Sequence, residues 1–342
     1  MNEFELIDRF FRRPVRDPAV RLGVGDDAAI VAPAPGCELA LAVDMLVEGR
    51  HFLPDVDPAT LGHKTLAVNL SDMAAMGATP RWALLGGALP ADDADWLAAF
   101  CGSLFALAAR YAVTLVGGDT TRGPRNLCLT IVGEVPAGTA LTRAGARPGD
   151  DLHVSGRLGD AALALAALQG RAFVDTATLA ALRRRLDEPE PRVALGERLR
   201  GVATAAIDVS DGLCGDLGHV LAMSHVGAEV DLPRVPCAPA LAERLRGGER
   251  ELALEGLLAG GDDYELLFTA PPAARARLAA IAGELALPIT RIGGIVAAPG
   301  LVVRDESGAP MTALPQAFDH FRSVASPLTP ALSAPAGRGS AP

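Results

Sequence analysis

At 342 residues, half of them hydrophobic, the chain carries enough apolar material for two packed cores, since a single core stops growing near ~250–300 residues. Its net charge of −10 excludes an extended nucleic-acid surface, which needs clustered cations. Asp, Arg or Gly interrupts every apolar run well before the ~18 residues a membrane helix requires.

In chain order, residues 3–13 are predicted helical and amphipathic. The opening MNEFELIDRFFRRP lacks the apolar stretch and cleavage site of a secretory signal. Five cysteines with no CxxC pair argue against a disulfide framework and a zinc site, so the expected compartment is the cytoplasm. CELALAVD (37–44) alternates as a strand. Asp57-Pro58 then opens a helix to about Met76, closed by Gly77. WALLGGAL (82–89) is a strand, followed by a helix from Asp92 to about Tyr111 with acids in its first turn. TLVGG (114–118) and LCLTIVGEV (127–135) are further strands.

Between Pro136 and Asp150 the composition shifts to Gly, Pro, Thr and Arg, which marks a domain boundary. It separates an N-terminal unit, 1–138, from a C-terminal unit, 149–325. The second unit begins with the strand LHVS and a helix from about Asp160, and two more helices follow. The strand TAAID (204–208) feeds a helix from Gly212, and an Ala-rich helix at 272–285 separates YELLFTA (264–270) from ITRIGGIV (289–296). The fold class is therefore mixed α/β. From Ser326 the chain reads SPLTPALSAPAGRGSAP, which cannot build a core, and 326–342 is predicted to be a disordered tail.

Several familiar motifs fail on context. GVGDDA (23–28) fits G-x-G-x-x-A with Asp44 downstream, but no convincing apolar strand precedes it, and Pro33, Pro35 and Gly36 leave no room for the required helix. GHKT (62–65) lacks the spacing of a P-loop, and Lys64 is the only lysine in the chain. The six histidines form no HExxH, and no G-x-S-x-G elbow is present.

What remains is a recurrence of aspartates in apolar, glycine-rich surroundings: Asp26 and Asp27, Asp44, Asp72, Asp119, Asp208 and Asp211, Asp262 and Asp263. Each has a structural reading. Asp119 after Gly117-Gly118 suits a turn at a strand end, and Ser210 or Asp211 can cap the following helix. Asp208 is harder to explain, because it ends an apolar strand where a bare carboxylate is costly. Asp72 sits late in an apolar helix, where the dipole disfavours it. If these acids converge, they repel one another and their pKa values rise unless a cation arrives. An all-oxygen donor set suits a hard divalent ion, Mg2+ above all.

GVGDDAA, DMLVEGRHF, NLSDMAAMGATP, GGDTTRGP, LTRAGARPGD, AIDVSDGL, GGDDYEL and FDHF follow one another in the order found in thiamine-monophosphate kinases, which the chain resembles to about Phe321. That family belongs to a superfamily with aminoimidazole ribonucleotide synthetase and selenophosphate synthetase. The resemblance implies ATP- and Mg2+-dependent phosphorylation of thiamine monophosphate to thiamine diphosphate. It also implies a two-domain synthetase-like fold: an N-terminal mixed-sheet domain that forms a homodimer, then a larger C-terminal α/β domain. By motif, Asp27, Asp44, Asp72, Asp119, Asp208 and Asp211 match metal ligands, and Gly118, Asp119, Arg143 and Ser210 match positions contacting ATP. His51, Asp262 and Phe318 match substrate contacts. Asp72, Asp119, Arg143 and Asp208 form the implied catalytic set.

Three positions depart from the pattern. Ala42 and Val43 stand where hydroxyl residues are common, leaving main-chain carbonyls such as that of Val43 as donors. Asp262 stands where Glu is usual, and Phe318 replaces a larger aromatic. Two rivals stay in view: a sister ATP-dependent synthetase of the superfamily, which would share the ATP and magnesium chemistry, and a non-catalytic nucleotide- or metal-binding protein on the same scaffold, which Ala42, Val43 and Asp262 keep alive.

Overall fold

A computed structural model of the chain describes residues 2–316, so Phe318 and the segment 326–342 lie outside the described residues. Helix α1 (Glu3–Leu6) is opened by a capping box, in which the Asn2 side chain and the Glu5 carboxylate each accept the other's backbone N–H, and it runs on as a π-helical turn, Ile7–Phe11. Two short strands, β1 (Val20–Leu22) and β2 (Ile30–Val31), pair antiparallel around the GVGDDA segment. A strand does precede that motif, contrary to the sequence expectation, but a second strand follows it and no helix does.

A four-stranded sheet is built from β3 (Cys37–Val47), β4 (Thr79–Leu89), β5 (Thr114–Arg122) and β6 (Asn126–Pro136), with α2 (Pro58–Ala75) and α3 (Ala94–Arg110) between strands. Its order is β3-β6-β4-β5, antiparallel except for β4 and β5. The α2 start is set by Asp57, whose carboxylate accepts the amides of Ala59 at 2.7 Å and Thr60 at 3.2 Å, with Pro58 in the first turn. Asp93 caps α3 in the same way. One sheet face buries Leu127, Leu129, Ile131 and Leu85 against the two helices. The other face leaves Leu39, Leu41, Val43 and Met45 of β3 exposed, Val43 by 59%. Strands alternate sides, so the exposed residues are the odd-numbered ones, and Asp44 lies on the helix-facing side with Ala40, Ala42 and Leu46.

A six-stranded sheet uses residues 151–304. In chain order its elements are β7 (Asp151–Ser155), α4 (Asp160–Leu168), α5 (Thr176–Asp187), α6 (Val193–Leu199), β8 (Ala205–Asp208), α7 (Leu213–Ser224) and β9 (Gly227–Asp231). They continue with α8 (Pro239–Arg246), α9 (Arg250–Leu258), β10 (Leu266–Ala270), α10 (Arg275–Leu285), β11 (Ile289–Val296) and β12 (Gly300–Arg304). The order is β12-β9-β11-β7-β10-β8, antiparallel except for β12 beside β9. One side of this sheet buries Leu152, Val154, Ile207 and Leu267 with α4, α7, α8 and α9. The other side, with Phe268 and α10, joins the core around α2.

Helix α2 is therefore shared by both sheets, and its contact with α6 is close. A Cβ added to Gly196 would stand 2.0 Å from the Ala74 carbonyl oxygen, so only glycine fits there. Among the described residues no helix is long and apolar enough to cross a membrane. Cys37, Cys101, Cys128, Cys214 and Cys237 are all free thiols.

Candidate active site

Four of the predicted acids meet where α2, β3 and β8 approach one another. Asp72 lies in the last turn of α2, Asp44 on the inner face of β3, and Asp208 at the end of β8. Asp211 follows in the loop before α7. Asp208 is 6% exposed, and its Oδ2 accepts a hydrogen bond of 2.7 Å from the Ser71 hydroxyl.

The electrostatics record the crowding. Burial, then the charges of Asp208 and Asp211, push Asp44 from its ordinary 3.8 up to about 6. Asp72 is raised by burial first, then by Asp208 and Asp44, with the Arg143 cation opposing. Asp208 is raised by burial, against the Ser71 hydrogen bond and Arg143. These side chains resist carrying charge together, and Arg143 is the cation that acts on Asp72 and Asp208. Among the described residues no three histidine, cysteine or carboxylate side chains converge closely enough to hold a metal on their own.

The loop from Ser210 to Gly212 is organised differently from the sequence expectation. Neither Ser210 nor Asp211 caps α7; the N-cap residue is Gly212, which has no side chain to offer. Asp216, in the helix's own first turn, reaches back instead. Its Oδ2 accepts the amides of Ser210 at 3.0 Å, Asp211 at 3.0 Å and Gly212 at 3.1 Å. Burial and Asp208 nonetheless raise its pKa to about 7. Sequence reasoning missed this residue; its signal was an acid in the first turn of a helix whose N-cap is glycine.

Asp27 and Asp119 do not join this set. Both are exposed; the Asp27 amide donates to the Asp26 carboxylate, and Asp119 accepts the Thr120 amide with its own Oδ1. Neither is among the charges that raise Asp44, Asp72 or Asp208. Asp119 also does not end a strand, because β5 continues to Arg122. Gly118 beside it is required by packing: a Cβ there would stand 2.0 Å from the Leu85 carbonyl oxygen of β4. Asp44 likewise lies within its strand, which continues to Val47, and the Val43 side chain faces outward.

Two predicted substrate residues, His51 and Asp262, line one cleft. Phe52, Leu53, Val56, Leu61, Leu165 and Leu186 supply its apolar walls, and Arg50, Lys64, Arg183 and Asp187 its charges. His51 Nδ1 accepts the Val47 amide at 3.0 Å, which sets the ring's orientation. Asp262 forms an ion pair of 3.1 Å with Lys64 and accepts the Tyr264 hydroxyl at 3.2 Å. Both Asp262 and Tyr264 hold left-handed backbone, with φ of 66° and 49°. Two hydrogen bonds latch that strained segment to the acidic loop, from the Asp262 amide to the Ser210 carbonyl at 2.9 Å and from the Tyr264 amide to the Val209 carbonyl at 2.8 Å. The cleft and the acidic set are thus adjacent and mechanically joined. The presence of Lys64 here was not anticipated; the signal was its uniqueness among the cations.

Comparison with known proteins gives the same location a family. Residues 25–135 match the family model "AIR synthase related protein, N-terminal domain", and residues 147–306 match "AIR synthase related protein, C-terminal domain". The thiamine-monophosphate kinase of Salmonella typhimurium is 48% identical over 326 residues, 94% of this chain and 98% of that one. Among solved structures, the thiamine-monophosphate kinase of Stenotrophomonas maltophilia K279a superposes with a TM-score of 0.81 at 48% identity, covering 88% of this chain and 96% of that one. AaThiL complexed with AMPPCP and TMP superposes with a TM-score of 0.74 at 30% identity, covering 85% of this chain and 89% of that one. With its near-complete coverage and its acids and cleft joined in one site, the chain belongs to the thiamine-monophosphate kinase family.

Proposed function

We propose that this chain transfers the γ-phosphoryl group of ATP to thiamine monophosphate, giving thiamine diphosphate and ADP, with the acidic set serving the phosphates and the neighbouring cleft holding the thiamine part. The observation that carries this reading is the latch between Asp262–Tyr264 and Val209–Ser210, which sets the cleft lined by His51 and Asp262 directly beside the crowded carboxylates.

An all-oxygen set whose members resist ionising together fits a hard divalent cation, with phosphate oxygens completing the coordination that no three protein groups close by themselves. Asp44, Asp72, Asp208 and Asp211 would hold Mg2+, and Asp27, Asp119 and the Val43 carbonyl are assigned to it by motif alone. When bound, Mg2+ neutralises phosphate charge and aligns the reacting groups.

The residues themselves carry the remaining work. Arg143 brings a cation to a site otherwise dominated by acids, and with Gly118, Asp119 and Ser210 it is assigned to ATP. Asp216 keeps the Ser210–Gly212 amides engaged, so the loop bearing Asp211 is ordered before substrate arrives. The acceptor oxygen belongs to a phosphomonoester with a second pKa near ~6, so it is largely deprotonated at neutral pH and no protein base is needed. The bond formed is from that oxygen to the γ-phosphorus; the bond broken is from the γ-phosphorus to the ADP oxygen, in line and without a phosphoenzyme.

The exposed stripe Leu39, Leu41, Val43 and Met45 supports a homodimer joined through the open face of the four-stranded sheet. The free cysteines support a cytoplasmic location. The test is an assay with ATP, Mg2+ and thiamine monophosphate, following ADP and thiamine diphosphate, with free thiamine as control acceptor. Both products with the monophosphate, and neither with free thiamine, is the expected outcome. ADP without thiamine diphosphate would assign the chain to a sister reaction, and no ADP would leave a binding protein.

A further inference from the structure

Lys64 is the chain's only lysine, stands in the middle of α2 and is 3% exposed. A buried ammonium persists only where its charge is met. Asp262 meets it at 3.1 Å, and the His51 carbonyl lies at 3.5 Å, the outer limit of a hydrogen bond. This one side chain therefore joins both described residues assigned to the thiamine part of the substrate. The Lys64 side chain is closed off while that of Asp262 remains 31% exposed, so the pair is anchored at the cation and open at the carboxylate. Tyr264, itself buried, donates to the same Oδ1. The carboxylate is thereby gripped through one oxygen by two groups of the protein.

We propose that Lys64 is a positioning residue for substrate recognition, holding Asp262 at the reach needed to meet the thiamine part of thiamine monophosphate, whose thiazolium ring is cationic and whose pyrimidine ring bears an amine, without itself touching it. The inference rests on the kinase reading above and gives the short side chain of Asp262 a fixed position. The shorter arm is fixed by a buried partner, so its position is set before the ligand enters, and preorganisation of this kind lowers the ordering penalty of binding. The left-handed backbone of Asp262 fits the same account, since strain at a ligand contact persists only where its surroundings enforce it.

The experiment is a binding and kinetic comparison of wild type, Lys64→Met, Asp262→Asn and the double variant, with thiamine monophosphate and AMPPCP titrated separately by calorimetry. Lys64→Met should weaken thiamine monophosphate binding roughly 10- to 100-fold and raise its KM to match, because a displaced contact loses about that much. AMPPCP binding and kcat should stay within about threefold, since the acids that serve ATP are untouched. In the Asp262→Asn background, Lys64→Met should add almost nothing, because a residue acting through another has no effect once that other is gone. Equal weakening of both ligands, unchanged thiamine monophosphate affinity, or losses that add in the double variant would each overturn the proposal. Where Lys64→Met is too unstable to assay, Lys64→Arg carries the comparison: a larger rise in the Kd for thiamine monophosphate than for AMPPCP supports the proposal, and equal rises overturn it. Wild-type enzyme that binds no thiamine monophosphate would instead refute the kinase reading itself.

Discussion

The Ser71 hydroxyl donates to Asp208 Oδ2 at 2.7 Å, joining α2 to the end of β8 across 137 residues of sequence. Ser71 precedes Asp72, so one helical turn delivers both a partner for one buried acid and a second acid beside it. The two lobes meet where burial and mutual repulsion raise the pKa of Asp44, Asp72 and Asp208.

Removing one charge from the set should damage catalysis far more than folding. Asp72→Asn and Asp208→Asn should each lower kcat/KM by roughly 10²-fold or more, the scale of a lost electrostatic group at a reacting centre. Asp55→Asn, in the loop between β3 and α2, is the control and should leave turnover unchanged. Steady-state kinetics with thiamine monophosphate check both statements.

The raised carboxylates also set a direction for stability against pH. Asp44 at about 6 and Asp216 at about 7 hold protons in the folded state that the unfolded chain releases near 3.8. Such groups favour the folded state at low pH, and that contribution is lost as pH rises through about 4 to 7. His153 opposes them between 6.5 and about 4, because burial lowers its pKa and the unfolded state takes its proton first. Asp72 and Asp208 add to the carboxylate side, so the acids outnumber the histidine. Metal-free protein should therefore show a higher Tm near about pH 5.5 than near about pH 8, and Asp44→Asn should flatten the difference. Thermal melts in a chelating buffer read this directly.

Glu265 tests packing away from the chemistry. It is fully buried and receives Arg185 at 2.6 Å, Arg192 at 2.6 Å and the Ser155 hydroxyl at 2.6 Å, tying α5, α6 and β7 together. Glu265→Leu leaves two guanidinium groups without their partner and should cost about 3–5 kcal/mol of stability. Chemical denaturation monitored by circular dichroism measures it.

The open sheet face predicts assembly. Leu41→Glu together with Val43→Lys places charges on a stripe that burial in a dimer would desolvate. The wild type should sediment as a dimer and the double variant as a monomer in analytical ultracentrifugation.

Much of this arrangement was legible in the sequence where the determinants are local. The start of α2 follows from Asp57-Pro58 and its end from Gly77, because cap and breaker lie next to the helix they bound. The alternation of 37–44 places Asp44 on the buried side. The strands β9 and β12 and the helices α8 and α9 went unread, being short segments that pairing and packing with remote partners define. The site divides the same way. Asp44, Asp72, Asp208 and Asp211 were anticipated as a group, whereas the sequence signals of Asp216 and Lys64 do not name their partners, the first folding back on its own loop and the second pairing with another lobe. Asp27 and Asp119 show the converse, since the motif names them but the fold leaves them exposed and outside the charged set.

Catalysis by the proposed route requires these acids to bind cations in one place. Crystals grown with Mn2+ and AMPPCP, with anomalous diffraction recorded at the manganese edge, test it most directly. The predicted result is anomalous density between Asp44, Asp72, Asp208 and Asp211, shared with phosphate oxygens. Manganese confined to other surfaces, with those four side chains unligated beside a bound nucleotide, would contradict it.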